Sequence, residues 1–387
     1  MKKTLAAVAV LGAFAGSALA ADVQLYGLID TGLQYLHSDA DMANMDATDR
    51  FSMESGMASG SRFGFKGTED LGNGLTVGFV LENGFTSDDG AKKGVFFDRE
   101  SSLFLQGGFG KVAFGHMGSI NNGTSSWGKY GMISAFGTSW GDYAAQAGTW
   151  AMGAGLWDNM ISYQTPTFAG FTVYAQYAMG NAGAGKVENE SSSDRYYALG
   201  ATYANGPLNL YAAVDSINYA SVGVGTTADV DDSLTVTLGG NFDFEVVKLF
   251  AGAQYFDEIK LSKMKGAVQL QKTGFAGYQL DQQQGNVLVD GKMEGWSLGV
   301  SASIPVAGGT VLVGAAYLDA EAADSVKNND DELNRWIVSA GYDYPFSKRT
   351  DVYGVVTYNQ DQMDSKTAAN DRDPSVYGVM VGLRHKF

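Results

Sequence analysis

The sequence predicts an all-β fold, a closed transmembrane antiparallel β-barrel of sixteen strands. Three observations carry this. Apolar and polar residues alternate with period 2 from one end of the chain to the other, in segments of ~10 residues, the pattern of membrane-crossing strands. The connections between segments are alternately short and long. Beyond the first 20 residues there is no run of ~20 apolar residues, so a chain that enters a membrane must do so with strands whose backbone hydrogen bonds are satisfied by closure.

Composition removes the main competitors. The chain has 387 residues and no cysteine, so a disulfide scaffold and a thiolate metal centre are excluded, and three histidines, His37, His116 and His385, argue against a histidine-rich metal centre. A formal charge of −16 lacks the basic footprint that nucleic acid requires. Aromatics at 12% and abundant Val, Leu and Phe can bury surface, which argues against disorder.

The elements follow in order. Residues 1–20, MKKTLAAVAVLGAFAGSALA, read as a secretory signal peptide: Lys2 and Lys3, an apolar stretch from Thr4 to Phe14, and a small-x-small end at Ala18-Leu19-Ala20. The apolar stretch is too short to span a bilayer. Cleavage removes two lysines and makes the remaining chain, 21–387, more acidic; it reads as one barrel domain with no linker. In the first strand Leu25, Ile29, Leu33 and Tyr35 share one face, and Tyr26, Asp30 and Gln34 the other. Later, Leu75, Val77, Phe79 and Leu81 oppose Thr76, Gly78, Val80 and Glu82, and Tyr377, Val379, Val381, Leu383 and Phe387 oppose Gly378, Met380, Gly382, Arg384 and Lys386. The second face is polar or small. A soluble sandwich would put large residues there, whereas small ones leave a lumen open.

Short connections at 70–74, 107–110, 205–207, 305–309 and 345–349 are built on Gly or Pro, as tight turns need. Long ones lie near 38–54, 86–95, 117–156, 180–193, 219–231, 261–291, 321–333 and 361–374. Eight long loops imply eight hairpins, and an even strand number is the rule for such barrels. The long loops carry clusters of aspartate, among them Asp229, Asp231 and Asp232, and Asp330 with Asp331 and Glu332. None has an ordered ligand spacing for Ca²⁺ or Mg²⁺, so a solvated acidic surface is preferred and no metal or cofactor is implied.

The third long loop, 117–156, has no period and is rich in aromatics: Trp127, Tyr130, Phe136, Trp140, Tyr143 and Trp150. Folded into the lumen it would bury them and narrow the pore; a packed plug without selectivity is the simpler alternative. Its ionisable residues include Lys129 and Asp142. On the wall, Phe63 and Phe65 face lipid, which puts Arg62 and Lys66 in the lumen with Glu82 and Asp30; the face of Arg99 is ambiguous. Opposed charges across a narrow pore filter solutes by size and charge with no chemical step.

Several motifs together resemble the general Gram-negative porins, particularly the betaproteobacterial type. They are Val23 to Asp30 behind the leader, Ser61 to Leu75 followed by Glu82, Asp158 to Tyr163, Ser347 to Thr350, and the terminal Phe387. The resemblance covers nearly the whole chain. It implies a sixteen-stranded barrel in the outer membrane, a homotrimer amid lipid and lipopolysaccharide. The third loop folds inward, and ions and small hydrophilic solutes diffuse passively. By matching position it implies a basic wall of Arg62, Lys66 and Arg99, faced by Asp142 on the loop, with Glu82 as a buried lumen acid and Phe387 as an assembly signal. The chain departs from the pattern at Leu156-Trp157, where many relatives carry an arginine before the Asp-Asn pair, and at Gly115-His116, where Gly-Arg is frequent. A thinned basic wall and an acidic mouth lead us to expect a weak cation preference. A channel specific for a sugar or an aromatic solute, an adhesin, and a barrel enzyme are the competing readings. The enzyme finds no Ser/His/acid constellation around His37 or His116.

Overall fold

In the computed structural model the chain winds into an antiparallel barrel. The structure describes residues 22–41, 46–137, 146–151, 155–180, 186–223, 226–227, 231–260, 292–324, 332–364 and 371–387. The leader, Trp140, Asp142, Tyr143, Asp229, Asp330 and Asp331 lie outside the described residues.

The strands are β1 (Gln24–Asp39), β2 (Thr48–Ser55), β3 (Arg62–Gly72), β4 (Leu75–Gly84), β5 (Glu100–Gly107) and β6 (Gly110–Gly118). After loop 117–156 come β7 (Leu156–Gln164), β8 (Phe171–Ala178), β9 (Arg195–Asn205) and β10 (Leu208–Asn218). A two-residue ribbon, β11 (Val222–Gly223) with β12 (Thr226–Thr227), stands apart from the wall. Then follow β13 (Leu234–Asp243), β14 (Lys248–Lys260), β15 (Lys292–Val306), β16 (Gly309–Ala322), β17 (Glu332–Pro345), β18 (Thr350–Asp364) and β19 (Ser375–Lys386). Each wall strand pairs antiparallel with its sequence neighbours, and β1 pairs with β19 from Leu28↔Lys386 to Asp39↔Ser375, which closes the barrel.

One strand is split. β2 pairs with β1 over Thr31↔Ser55 to Ser38↔Thr48, and β3 pairs with the same strand over Gln24↔Lys66 to Leu28↔Arg62. The two are halves of one wall strand interrupted at 56–61, and the wall so counted has sixteen strands. The expected first loop, 38–54, is therefore shorter than the sequence suggests: β1 runs to Asp39 and β2 starts at Thr48. Strands also run into the expected loops 321–333 and 361–374.

Parity explains the wall. Leu25, Ile29, Leu33, Leu103, Leu238, Leu298, Val300, Val381 and Leu383 are large, apolar and exposed on one face. A water-soluble protein would not leave so continuous an apolar band uncovered, and a bilayer covers it. At the seam Phe387 N–H donates to Gly27 O and Gly27 N–H to Phe387 O, both at 3.1 Å. A Cβ on Gly27 would lie 2.2 Å from the Phe387 ring, so glycine there lets the terminal ring lie on the outer face.

Candidate functional site

The inner face has two unlike arcs. The first, formed by β17, β18, β19, β1, β3 and β4, is charged. Glu82, on the inward parity of β4 and 8% exposed, accepts Arg99 Nε at 2.6 Å and the Tyr26 hydroxyl at 2.9 Å, with Arg62 Nε at 3.6 Å. The ambiguous Arg99 thus turns toward Glu82. Lys66 stays exposed with its ammonium 5.3 Å from the centre of the Tyr26 ring. Arg384 completes this arc: Nε binds Asp351 and Nη2 binds Asp343, each at 2.9 Å. Asp30 shares the inward parity but is 0% exposed. Its carboxylate accepts the N–H groups of Ala58 and Ser59 and the Tyr353 hydroxyl, so it serves as a bracket and shows no charge to open water.

The second arc, from β5 round to β17, is covered by the described parts of loop 117–156. Their backbone is tied to inward-facing side chains strand by strand. Ser126 donates to Glu100 of β5 from N–H at 2.8 Å and Oγ at 2.9 Å, and Ile120 N–H donates to Gln176 of β8 at 2.7 Å. Asn241 of β13 donates to Met132 O at 2.8 Å, and Gln254 of β14 to the Tyr130 hydroxyl at 2.9 Å. Ala135 N–H donates to Ser301 of β15 at 2.9 Å, and Arg335 of β17 to Gly148 O at 3.1 Å. A loop so anchored satisfies backbone groups through the wall; among its described residues it is regular only in two short 3-10 turns, Tyr130–Met132 and Gln146–Thr149.

Apolar side chains seat this loop in sockets made by inward glycines. A Cβ at Gly200 would meet Ile120 at 2.4 Å, one at Gly239 Ile133 at 2.7 Å, one at Gly252 Trp150 at 2.8 Å, and one at Gly314 Phe136 at 3.2 Å. The small inner face therefore does more than leave a lumen open: on this arc it receives the loop. Trp127, Tyr130 and Trp150 are each 2% exposed. Leucine in place of Gly252 is expected to lift the loop. Hydrogen exchange should show amides 130–135 losing protection while β14 keeps its own; unchanged protection would refute the socket.

Two lysines lie in this arc. Lys111 Nζ stands 4.0 Å from the Phe104 ring centre and 5.0 Å from that of Trp127; Lys129 Nζ is 5.0 Å from that of Tyr174. Burial pushes the Lys129 ammonium down, and Lys111 nearby adds to the shift. At the departures from the family pattern, Trp157 is buried against Tyr196 with ring centres 5.2 Å apart. His116 pairs with Ser101, on the outward parity of Leu103 and Phe114, and binds Asp158 at 2.6 Å.

Sequence reasoning did not single out Arg384, Glu100 or the buried Arg335–Asp361 pair. Parity alone marks Arg384 as inward; its partners needed the register.

A family profile described as Gram-negative porin matches residues 6–364. The chain is 34% identical to an outer membrane porin protein of Bordetella pertussis, and 31% identical to outer membrane porin protein 32 of Delftia acidovorans, with 100% of both chains covered in each case. Among solved structures, an anion-selective porin from Comamonas acidovorans matches with a TM-score of 0.65 at 26% identity, over 95% of this chain and 100% of that one.

Proposed function

Since the chain belongs to the Gram-negative porin family and is an outer-membrane barrel, we propose that it conducts ions and small hydrophilic solutes by passive diffusion, filtered by size and charge where loop 117–156 faces the charged arc. The observation that carries this is the anchoring of that loop to inward side chains from β5 to β17. A wall-hugging loop narrows the lumen while leaving the charged arc wet, and fixed charges lining a narrow wet path select by charge. The leader at 1–20, read from its own residues, and a homotrimer, which rests on family membership, belong to the same reading.

The charges support weak selectivity. Arg62 and Arg99 share Glu82, and Arg384 sits between Asp343 and Asp351. Lys66, Lys111 and Lys129 add positive charge, but two of them lean on aromatic faces in partly desolvated places. The anion selectivity of the Comamonas acidovorans porin is not carried over, because Arg62, Arg99 and Arg384 are each engaged by Glu82, Asp343 or Asp351 and the long loops are acidic; the weak cation preference expected from the sequence is kept. Solute stacking along the loop tryptophans is disfavoured by the burial of Trp127 and Trp150.

Planar-bilayer recordings test this. The wild type is expected to form ohmic pores with a small reversal potential of cation sign in a salt gradient. Arg62→Ala should enlarge the cation preference and Asp142→Ala reduce it, each with a conductance change of about 10–50%. If both variants matched wild type, the constriction would lie elsewhere; a clear anion preference in the wild type would sink the selectivity reading.

A further inference from the structure

The wall strand that β2 and β3 share leaves the sheet between Ser55 and Arg62 and turns into the lumen. The detour is held on every side. Gly56 N–H donates to Asp30 O at 2.8 Å, and Asp30 Oδ2 accepts Ala58 N–H at 2.9 Å and Ser59 N–H at 2.7 Å. Tyr353 donates to Asp30 Oδ1 at 2.6 Å, which ties the bracket to β18. Met57 and Ala58 are buried in a cluster with Leu36 and Met380, and the Met57 methyl lies against Gly32. From the second long loop, Ser87 joins the same junction. Its N–H donates to Ser55 Oγ at 2.8 Å and its hydroxyl to Asp30 O at 2.9 Å. Buried backbone groups in an irregular segment are normally costly; here each of these has a partner, so the detour is a built feature.

Its tip faces three guanidinium groups. Ser59 and Gly60 stay partly exposed. Arg384 Nη1 donates to Ser59 Oγ at 3.1 Å, and Arg62 Nη1 donates to Gly60 O at 2.8 Å. A Cβ at Gly60 would stand 3.2 Å from Arg99 Nη1. These arginines come from β3, β19 and the segment before β5; two of them bond to the detour and the third, Arg99, lies beside it.

We propose that Gly56–Ser61 is a second constriction element, separate from loop 117–156, in which Ser59 lines the water path and Arg62, Arg99 and Arg384 are gathered into one strip that sets the charge sensed by passing ions. The mechanism is positional. A guanidinium held by an inward-reaching backbone carbonyl or hydroxyl has a fixed place near the narrowed path, and fixed charges there act more strongly than mobile ones in a wide vestibule. Arg384 is thereby a specificity-determining residue, and Ser59 a positioning one that also bounds the path.

The inference rests on the diffusion-channel reading, and the absence of native cysteine makes it directly testable. Ser59→Cys is labelled with a methanethiosulfonate bearing either trimethylammonium or sulfonate, and labelling is checked by mass spectrometry. Ser347→Cys, in an exposed turn between β17 and β18, is the control. At Ser59 both reagents are expected to lower single-channel conductance by roughly two-fold. The ammonium should shift the reversal potential toward anions, and the sulfonate should shift it toward cations. At Ser347 neither should alter the current. Failure of the folded Ser59→Cys protein to label, or full labelling without change in conductance and reversal potential, would overturn the proposal while the channel reading stands. Unlabelled wild-type protein that forms no pores would instead overturn the channel reading, and the proposal with it.

Discussion

Glutamine in place of Glu82 is expected to reverse the sign of the channel's selectivity, from a weak cation preference to a definite anion preference. Glu82 is the shared counter-charge of Arg62 and Arg99, and it is only 8% exposed. Glutamine keeps the volume and one carbonyl acceptor but removes the charge. Two guanidiniums then repel each other in a partly desolvated place, and the site recovers most of the loss by holding a chloride. Removing one partner of a well-buried ion pair costs ~3–5 kcal/mol; water in the pore brings the figure here below that range. The anion that offsets this loss is the one whose passage becomes favoured. The sign can be read twice. The reversal potential in a KCl gradient should take the anion sign, and the thermal stability of the variant in detergent should rise with salt more steeply than that of wild type. A variant with the wild-type reversal potential would show that Glu82 does not control the charge of the path.

The contrast between what the sequence reveals here and what it conceals is one of range. Parity is local, so the inward places of Tyr26, Asp30, Glu82 and Arg384 could be read from alternation. So could the outward Phe387, because its neighbours at 379, 381 and 383 are apolar. Register is not local. Glu82 and Arg99 stand 17 residues apart, and Arg384 lies 33 and 41 residues from Asp351 and Asp343. Only the pairing of strands brings such groups together. β2 was hidden for another reason. It lies at the rim, with only Phe51 and Met53 as large apolar residues and exposed neighbours on both faces, so its alternation is faint. The following Gly-Met-Ala-Ser-Gly-Ser has turn composition, which says that the chain bends and not which way. The glycine sockets show the same limit. Gly252 is visible as a small residue on an inward position, but Trp150, which fills it, is about a hundred residues distant.

The second large effect is expected at the buried pair Arg335–Asp361, where the question is whether a stabilising contact is also a working part of the pore. Arg335 is 4% exposed and Asp361 2%. Nε reaches Oδ1 at 2.6 Å and Nη2 reaches Oδ2 at 2.5 Å, a bidentate fork across β17 and β18, while Nη1 holds Gly148 O of loop 117–156 at 3.1 Å. Arg335→Ala strands a carboxylate away from water and should destabilise the barrel by ~3–5 kcal/mol, seen as a lower temperature for loss of the folded band in detergent. The double substitution Arg335→Met with Asp361→Leu removes both charges and keeps the volume, so most of that stability should return. The bond to Gly148 does not return. If that bond holds the loop against the wall, the double variant will be as stable as wild type yet noisier, with frequent partial closures in single-channel records. If stability and quiet conduction both return together, the fork is a structural element alone, and the later part of the loop is held by its apolar seats, Trp150 against Gly252 foremost among them.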